Sequence, residues 1–194
     1  MRWLYGAGRL SGSVLLAAAL CSFDMYELDC DERLLTTSER YAMSQIGTME
    51  KKSNRGEVGK YLATVGLGEG YPYCAAGVYW SFSKAVEELG LPQSAVPIKR
   101  TAVANEVFNG AKRRGKLVKR DIARHDLIVW KSKNHWSGHI ERVLRTKRKG
   151  IVETIGFNVK TKGGEGVAMK TRFVNHPLGR LMMRGVVTFK KVKT

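Results

Sequence analysis

The stretch Gly68–Phe82, "GEGYPYCAAGVYWSF", decides how the chain is read. A Gly/Pro-rich breaker, "EGYPY", runs straight into a helical pattern, and Cys74 stands at the junction. At 100° per residue, Cys74, Val78, Phe82, Ala85 and Leu89 fall on one side of that helix, with Ala75 and Val86 beside them. Ser81, Ser83, Lys84, Glu87 and Glu88 take the other side, and Gly90 and Pro92 end it. A thiol inside such a helix is packing material. A thiol on its first turn meets free N–H groups and the positive end of the helix dipole, and both favour a thiolate.

Upstream, Ser38 is positioned to cap a helix that stops near Gly47, and "EVGKYLATVGLG" predicts a second short helix with Val58, Leu62 and Val65 on one side. Residues 101–115 read as one more helix. Downstream the period changes. Asp126–Trp130, His139–Arg145, Ile151–Val159 and Gly185–Val192 are short and rich in β-branched residues, so they predict strands. "TKRKG" predicts a hairpin between the second and third of these, and "KTKGGEGVAMKTRF" a Gly-rich loop with another strand. Helices first and an antiparallel sheet after them make an α+β domain.

The chain has 194 residues, enough for one domain with a full core. Its start, "MRWLYGAGRLSGSVLLAAALCSF", carries Arg2 and Arg9, a short apolar run from Val14 to Leu20 and an A-x-A-like site. This predicts a signal-peptide-like leader over residues 1–20 and export to the periplasm or beyond, or a cytoplasmic protein if the leader is kept. The apolar run is too short for a stable membrane span. Residues 21–37 read as a linker or arm, which leaves 38–194 as the domain. Of the cysteines, Cys21 leaves with the leader or sits at the new end. Cys30 and Cys74 make no disulfide framework. The net charge of +17 predicts an anionic partner: a cell-wall polymer or nucleic acid.

A cysteine nucleophile needs a base. Four histidines are available, and His139 opens a strand after Gly138. His135 and His139 have H-x3-H spacing, but no cysteine pair accompanies them, so no zinc site is expected.

"SNRGEVGKYLATVGLGEGYPYCAAGVYWSF", followed by "HDLIVW", "SGHIERV" and "IVETIGFN", resembles the CHAP family of cysteine, histidine-dependent amidohydrolases/peptidases over roughly residues 38–160. The resemblance implies a papain-like fold, Cys74 as nucleophile, His139 as base, no cofactor, and peptide or amide bonds of bacterial peptidoglycan as substrate. It implies a monomer held on the wall by its own charge, with nucleic acid the lesser partner. Two positions depart from the family. His125 stands where Gly usually precedes Asp126, and Gly156 stands where the family often has its acid ("TIGFN" against "TIEGN"). The third catalytic member is then Asn158 or Glu153. An even hairpin loop turns Asn158 toward His139 and Glu153 away; an odd loop or a bulge reverses this. Two-residue turns are the commoner connection, which favours Asn158. Tyr73 and Trp136 are the candidate substrate contacts. Two other readings stand beside the enzyme: a catalytically silent member, motivated by Gly156, and a basic polyanion binder.

Overall fold

The computed structural model describes residues 32–111, 115–116 and 122–189. The expected leader, Cys21, Cys30 and most of the basic run near residue 115 lie outside them. Among the described residues the chain is an α+β domain. Four helices come first: α1 Glu32–Met43, α2 Gly59–Thr64, α3 Cys74–Glu88 and α4 Ala104–Gly110. Six strands follow: β1 Gly115–Lys116, β2 Leu127–Ser132, β3 Gly138–Thr146, β4 Ile151–Thr161, β5 Gly164–Phe173 and β6 Leu181–Val187. They form one antiparallel sheet in the order β1-β6-β2-β3-β4-β5. No helix among the described residues is long and apolar enough to cross a membrane.

The first turns of α3 are buried on nearly every side. Cys74 through Phe82 are all buried, including Ser81, whose hydroxyl donates to the Val78 carbonyl. The expected polar face therefore begins only at Ser83. The covering comes from α1 and α2 on one side and the sheet on the other, with Tyr61 edge-on to both Trp80 and Phe157. Contact with β4 is closest at Gly77. A Cβ there would sit 2.2 Å from the Phe157 ring.

The arm expected over residues 21–37 is helical from Glu32 onward. Ser38 is not its cap. It lies buried mid-helix, donates to the Leu35 carbonyl at 2.9 Å and accepts from Arg142 Nη1 at 2.8 Å. Arg142 is 1% exposed and also donates from Nη2 to the Leu35 carbonyl. Leu34 and Leu35 complete the packing. The segment looked like a linker because what holds it, the Leu35 carbonyl on Arg142 and Leu34 and Leu35 in the core, is contact with residues far along the chain, which local patterning does not carry.

His125 has φ 74°, in the left-handed region. That conformation costs a side-chain-bearing residue about 1–2 kcal/mol and explains why glycine suits the position. Here the imidazole is buried with Nδ1 3.0 Å from Glu39 Oε2, which ties the start of β2 to α1.

The contact at Gly77 generates a test. Gly77→Ala should cost about 1–3 kcal/mol, since neither Phe157 nor the helix backbone has room to yield. Urea denaturation should show a lower midpoint with an unchanged slope. An unchanged midpoint would mean that α3 does not rest on Phe157.

Candidate active site

Cys74 is the first residue of α3. The preceding Tyr73, at φ −113° and ψ 14°, lies outside the helical region and offers no side-chain cap. Helix geometry leaves the first-turn N–H groups without intrahelical acceptors, so they remain available beside the thiol. Cys74 is buried and forms no disulfide, and it lies close enough to the His139 side chain to help raise that imidazole's pKa.

His139 is the second residue of β3. Its place is fixed from behind: Gly138 is so tightly enclosed that a Cβ would lie 2.6 Å from the Trp130 carbonyl and 3.0 Å from Asn105 Nδ2. Asn105, on α4, donates to the Trp136 carbonyl at 2.8 Å and accepts from Arg184 Nη1 at 2.8 Å. The backbone entering the histidine is thus clamped from α4 and β6.

The ring's other partner is Glu141. Its Oε1 lies 3.0 Å from His139 Nε2, and with Nε2 so engaged Nδ1 is the nitrogen left for the thiol. Alternation along β3 puts residues 139 and 141 on one face of the sheet. Glu141 is fully buried. Thr154 Oγ1 donates to its Oε2 at 2.6 Å, Arg172 Nε donates to the same oxygen at 2.9 Å, and a second Arg172 nitrogen donates to Oε1.

The electrostatics follow from this packing. Burial raises the Glu141 pKa, but hydrogen bonds from His139 and Arg172, with their charges, outweigh it and bring the carboxyl down to about 2. Burial likewise disfavours the charged His139 ring, but Cys74 and Glu141 outweigh it and raise the imidazole to about 9. A raised histidine contributes stability that is full below 6.5 and lost as pH rises through about 9. A lowered carboxyl contributes stability that is full above 4.5 and lost as pH falls through about 2. The pair therefore supports the fold most between those two unperturbed values.

The two expected third members are elsewhere. Asn158 donates from Nδ2 to Asn54 Oδ1 and Glu165 Oε2, both at 3.1 Å. The pairing of Glu141 with Gly156 is the register an even loop would give, but it is reached another way. A five-residue connection joins Thr146 to Val152, and a bulge between Val143 and Arg145 restores the phase. A second irregularity between Gly156 and Val159 puts Asn158 at φ 58° and turns its amide off the expected face. Glu153 is turned away too, toward Arg145 Nε at 2.8 Å and Lys147. Glu141 was missed. The signal was present as H-x-E in "GHIERV", two residues on one strand face, opposite a glycine. A Cβ at Gly156 would come within 2.9 Å of Glu141 Oε1, so the empty position on β4 is what admits the carboxylate from β3.

Tyr73 is wholly buried and stacks on Tyr61 with ring centroids 5.8 Å apart, so it cannot touch a substrate. Trp136 is 62% exposed in the loop just before His139. A groove between α1 and the sheet, lined by Glu39, Met43, Arg145 and Met169 among others, contains neither Cys74 nor His139. Among the described residues no cluster of His, Cys, Asp and Glu has the makings of a metal site.

Glu141→Gln removes the anion facing His139 and keeps the shape. The ring's titration, followed by NMR, should move down from about 9 toward its ordinary value. A ring that still titrates near 9 would show that Glu141 does not set its charge.

The chain matches no protein-family model and no curated protein sequence.

Proposed function

We propose that this protein is a cysteine-dependent hydrolase of peptide or amide bonds, built on a papain-like arrangement of the CHAP type. One observation carries the reading: a single imidazole held between a thiol on a helix's first turn and a buried, ionised carboxylate. Those are the parts that nucleophilic cysteine chemistry requires.

The roles follow. The Cys74 thiol gives its proton to His139 and attacks the substrate carbonyl. The uncapped first turn of α3 offers N–H donors to the oxyanion that forms. His139, now an imidazolium, protonates the leaving amine, and the acyl-enzyme remains on Cys74 sulfur. His139 then takes a proton from water, and the hydroxide oxygen displaces the sulfur to release the acid. Glu141 keeps the proton-bearing nitrogen of the ring oriented throughout, the part that Asn158 was expected to play. The presence of that carboxylate weighs against a catalytically silent protein, since Gly156 was the reason to expect one.

The substrate class comes from the resemblance in sequence, which points to peptidoglycan, and the charge of +17 suits an anionic wall polymer. Trp136, exposed on a clamped backbone beside the base, is the aromatic surface best placed to line the cleft. Export and a monomeric state belong to the same proposal. The polyanion-binding reading rests on charge alone and separates cleanly: nucleic-acid binding would survive Cys74→Ala.

Purified protein incubated with peptidoglycan sacculi should release fragments whose new amino termini, identified by mass spectrometry, name the bond. Cys74→Ala should release none above background. The rate should fall as pH rises through about 9, because His139 then lacks the proton owed to the leaving amine. Release that persists in Cys74→Ala would exclude the thiol as nucleophile. No release from several wall types would overturn the substrate class.

A further inference from the structure

We infer that Arg172 is a positioning residue for the active site, acting through Glu141 from two strands away. This rests on the cysteine-hydrolase reading of the site and adds a fourth member to it.

The geometry makes the case. Arg172 stands on β5 and Glu141 on β3, with β4 between them. Two strand spacings separate β3 from β5 by about 10 Å, and the register adds an offset along the strands, since Gly156, opposite Glu141, pairs with Ala168 while Arg172 pairs with Val152; two long side chains leaning toward each other over Thr154 close that distance. The residues of β4 on that face taper toward the site. Val152 pairs with Arg172, Thr154 follows, and Gly156 lies opposite Glu141. The guanidinium crosses over this step and meets the carboxylate edge on, with one nitrogen on each oxygen. A fork of this kind fixes the carboxylate plane as well as its position.

Glu141 accepts four hydrogen bonds on two oxygens: His139 and Arg172 on Oε1, Thr154 and Arg172 on Oε2. Of these donors only His139 changes charge during the proposed cycle. When it is neutral, a fully buried carboxylate would have no countercharge but Arg172. Arg172 therefore keeps Glu141 ionised while the ring exchanges its proton with the thiol. The charged and titratable groups meeting this carboxylate are His139 from β3 and Arg172 from β5. β4 contributes the Thr154 hydroxyl, and the opposed residue on β2 is the apolar Ile128. α3 brings Cys74 to the His139 ring, whose charge it helps to hold.

The test reads the thiol and needs no substrate. Ultraviolet thiolate absorbance of the full chain is titrated against pH, and the matching Cys74→Ala protein is subtracted to cancel Cys21 and Cys30. Arg172→Met should let Glu141 protonate, weaken the imidazolium, and raise the Cys74 midpoint by about one to three pH units. Arg172→Lys, a point charge without the fork, should shift it less, and Thr154→Val less again. Adding Arg172→Met to Glu141→Gln should cause no further shift, because the arginine's effect runs through the carboxylate. An unmoved midpoint in folded Arg172→Met, with only a lower melting temperature, would make the arginine merely structural and overturn the inference. A full further shift in the Glu141→Gln background would overturn it as well. Should Arg172→Met fail to fold, unmoved midpoints in both Arg172→Lys and Thr154→Val would do the same. A shifted thiol in a protein that cuts no wall would leave this inference standing and remove the substrate proposal alone.

Discussion

A carboxylate with no exposed surface is the condition around which this domain is arranged. Burying an ionised group is tolerable only when every lone pair is met, and Glu141 meets that demand with donors from three strands. The demand reaches outward into the sequence. Residue 156 has to be glycine-sized, residue 154 has to carry a hydroxyl, and residue 172 has to be long and forked. Each of these would look arbitrary in a strand taken by itself. Together they are one solvation shell built from protein.

The second requirement is that the thiol arrive at the right place. Three elements converge there: the first turn of α3, the start of β3 and the loop that precedes it. The height of α3 over the sheet is set by Gly77 against Phe157. The entry to β3 is set by Asn105 between Arg184 and the Trp136 carbonyl. Neither contact involves a reacting atom, yet both fix distances that a proton transfer depends on.

Much of this was legible in the sequence. The helix at Cys74, the change of period after residue 125 and the hairpin at "TKRKG" are local patterns, and local patterns are what periodicity reports. Cys74 and His139 could be named because each stands at an element boundary. The side chain that meets the His139 ring could not be picked out in this way, and the reason is physical. Face alternation predicts orientation only along an unbroken ladder, and β4 is irregular between Gly156 and Val159, exactly where Asn158 sits. A buried carboxylate stands instead at the paired position across the hairpin, Glu141, where reading β4 alone could not find it. Tyr73 was misjudged because adjacency to a nucleophile in sequence says nothing about which way the next side chain points. The first half of α1, Glu32 to Thr37, was read as an arm because its buried face is matched to Arg142 and to α3, contacts of long sequence separation.

The pairing of Arg142 with α1 bears on where the folding unit starts. Its guanidinium finds acceptors on Ser38 and on the Leu35 carbonyl, the second of them inside the stretch first taken for a tether. A protease that clipped the chain between residues 32 and 38 would therefore do more than trim a flexible end. A cut after Leu35 would take from Arg142 the Leu35 carbonyl that it donates to, and from the core the side chains of Leu34 and Leu35. A fragment begun at Ser38 would carry Cys74, His139 and Glu141 but lack the turn of α1 that packs Leu34 and Leu35 into the body holding them.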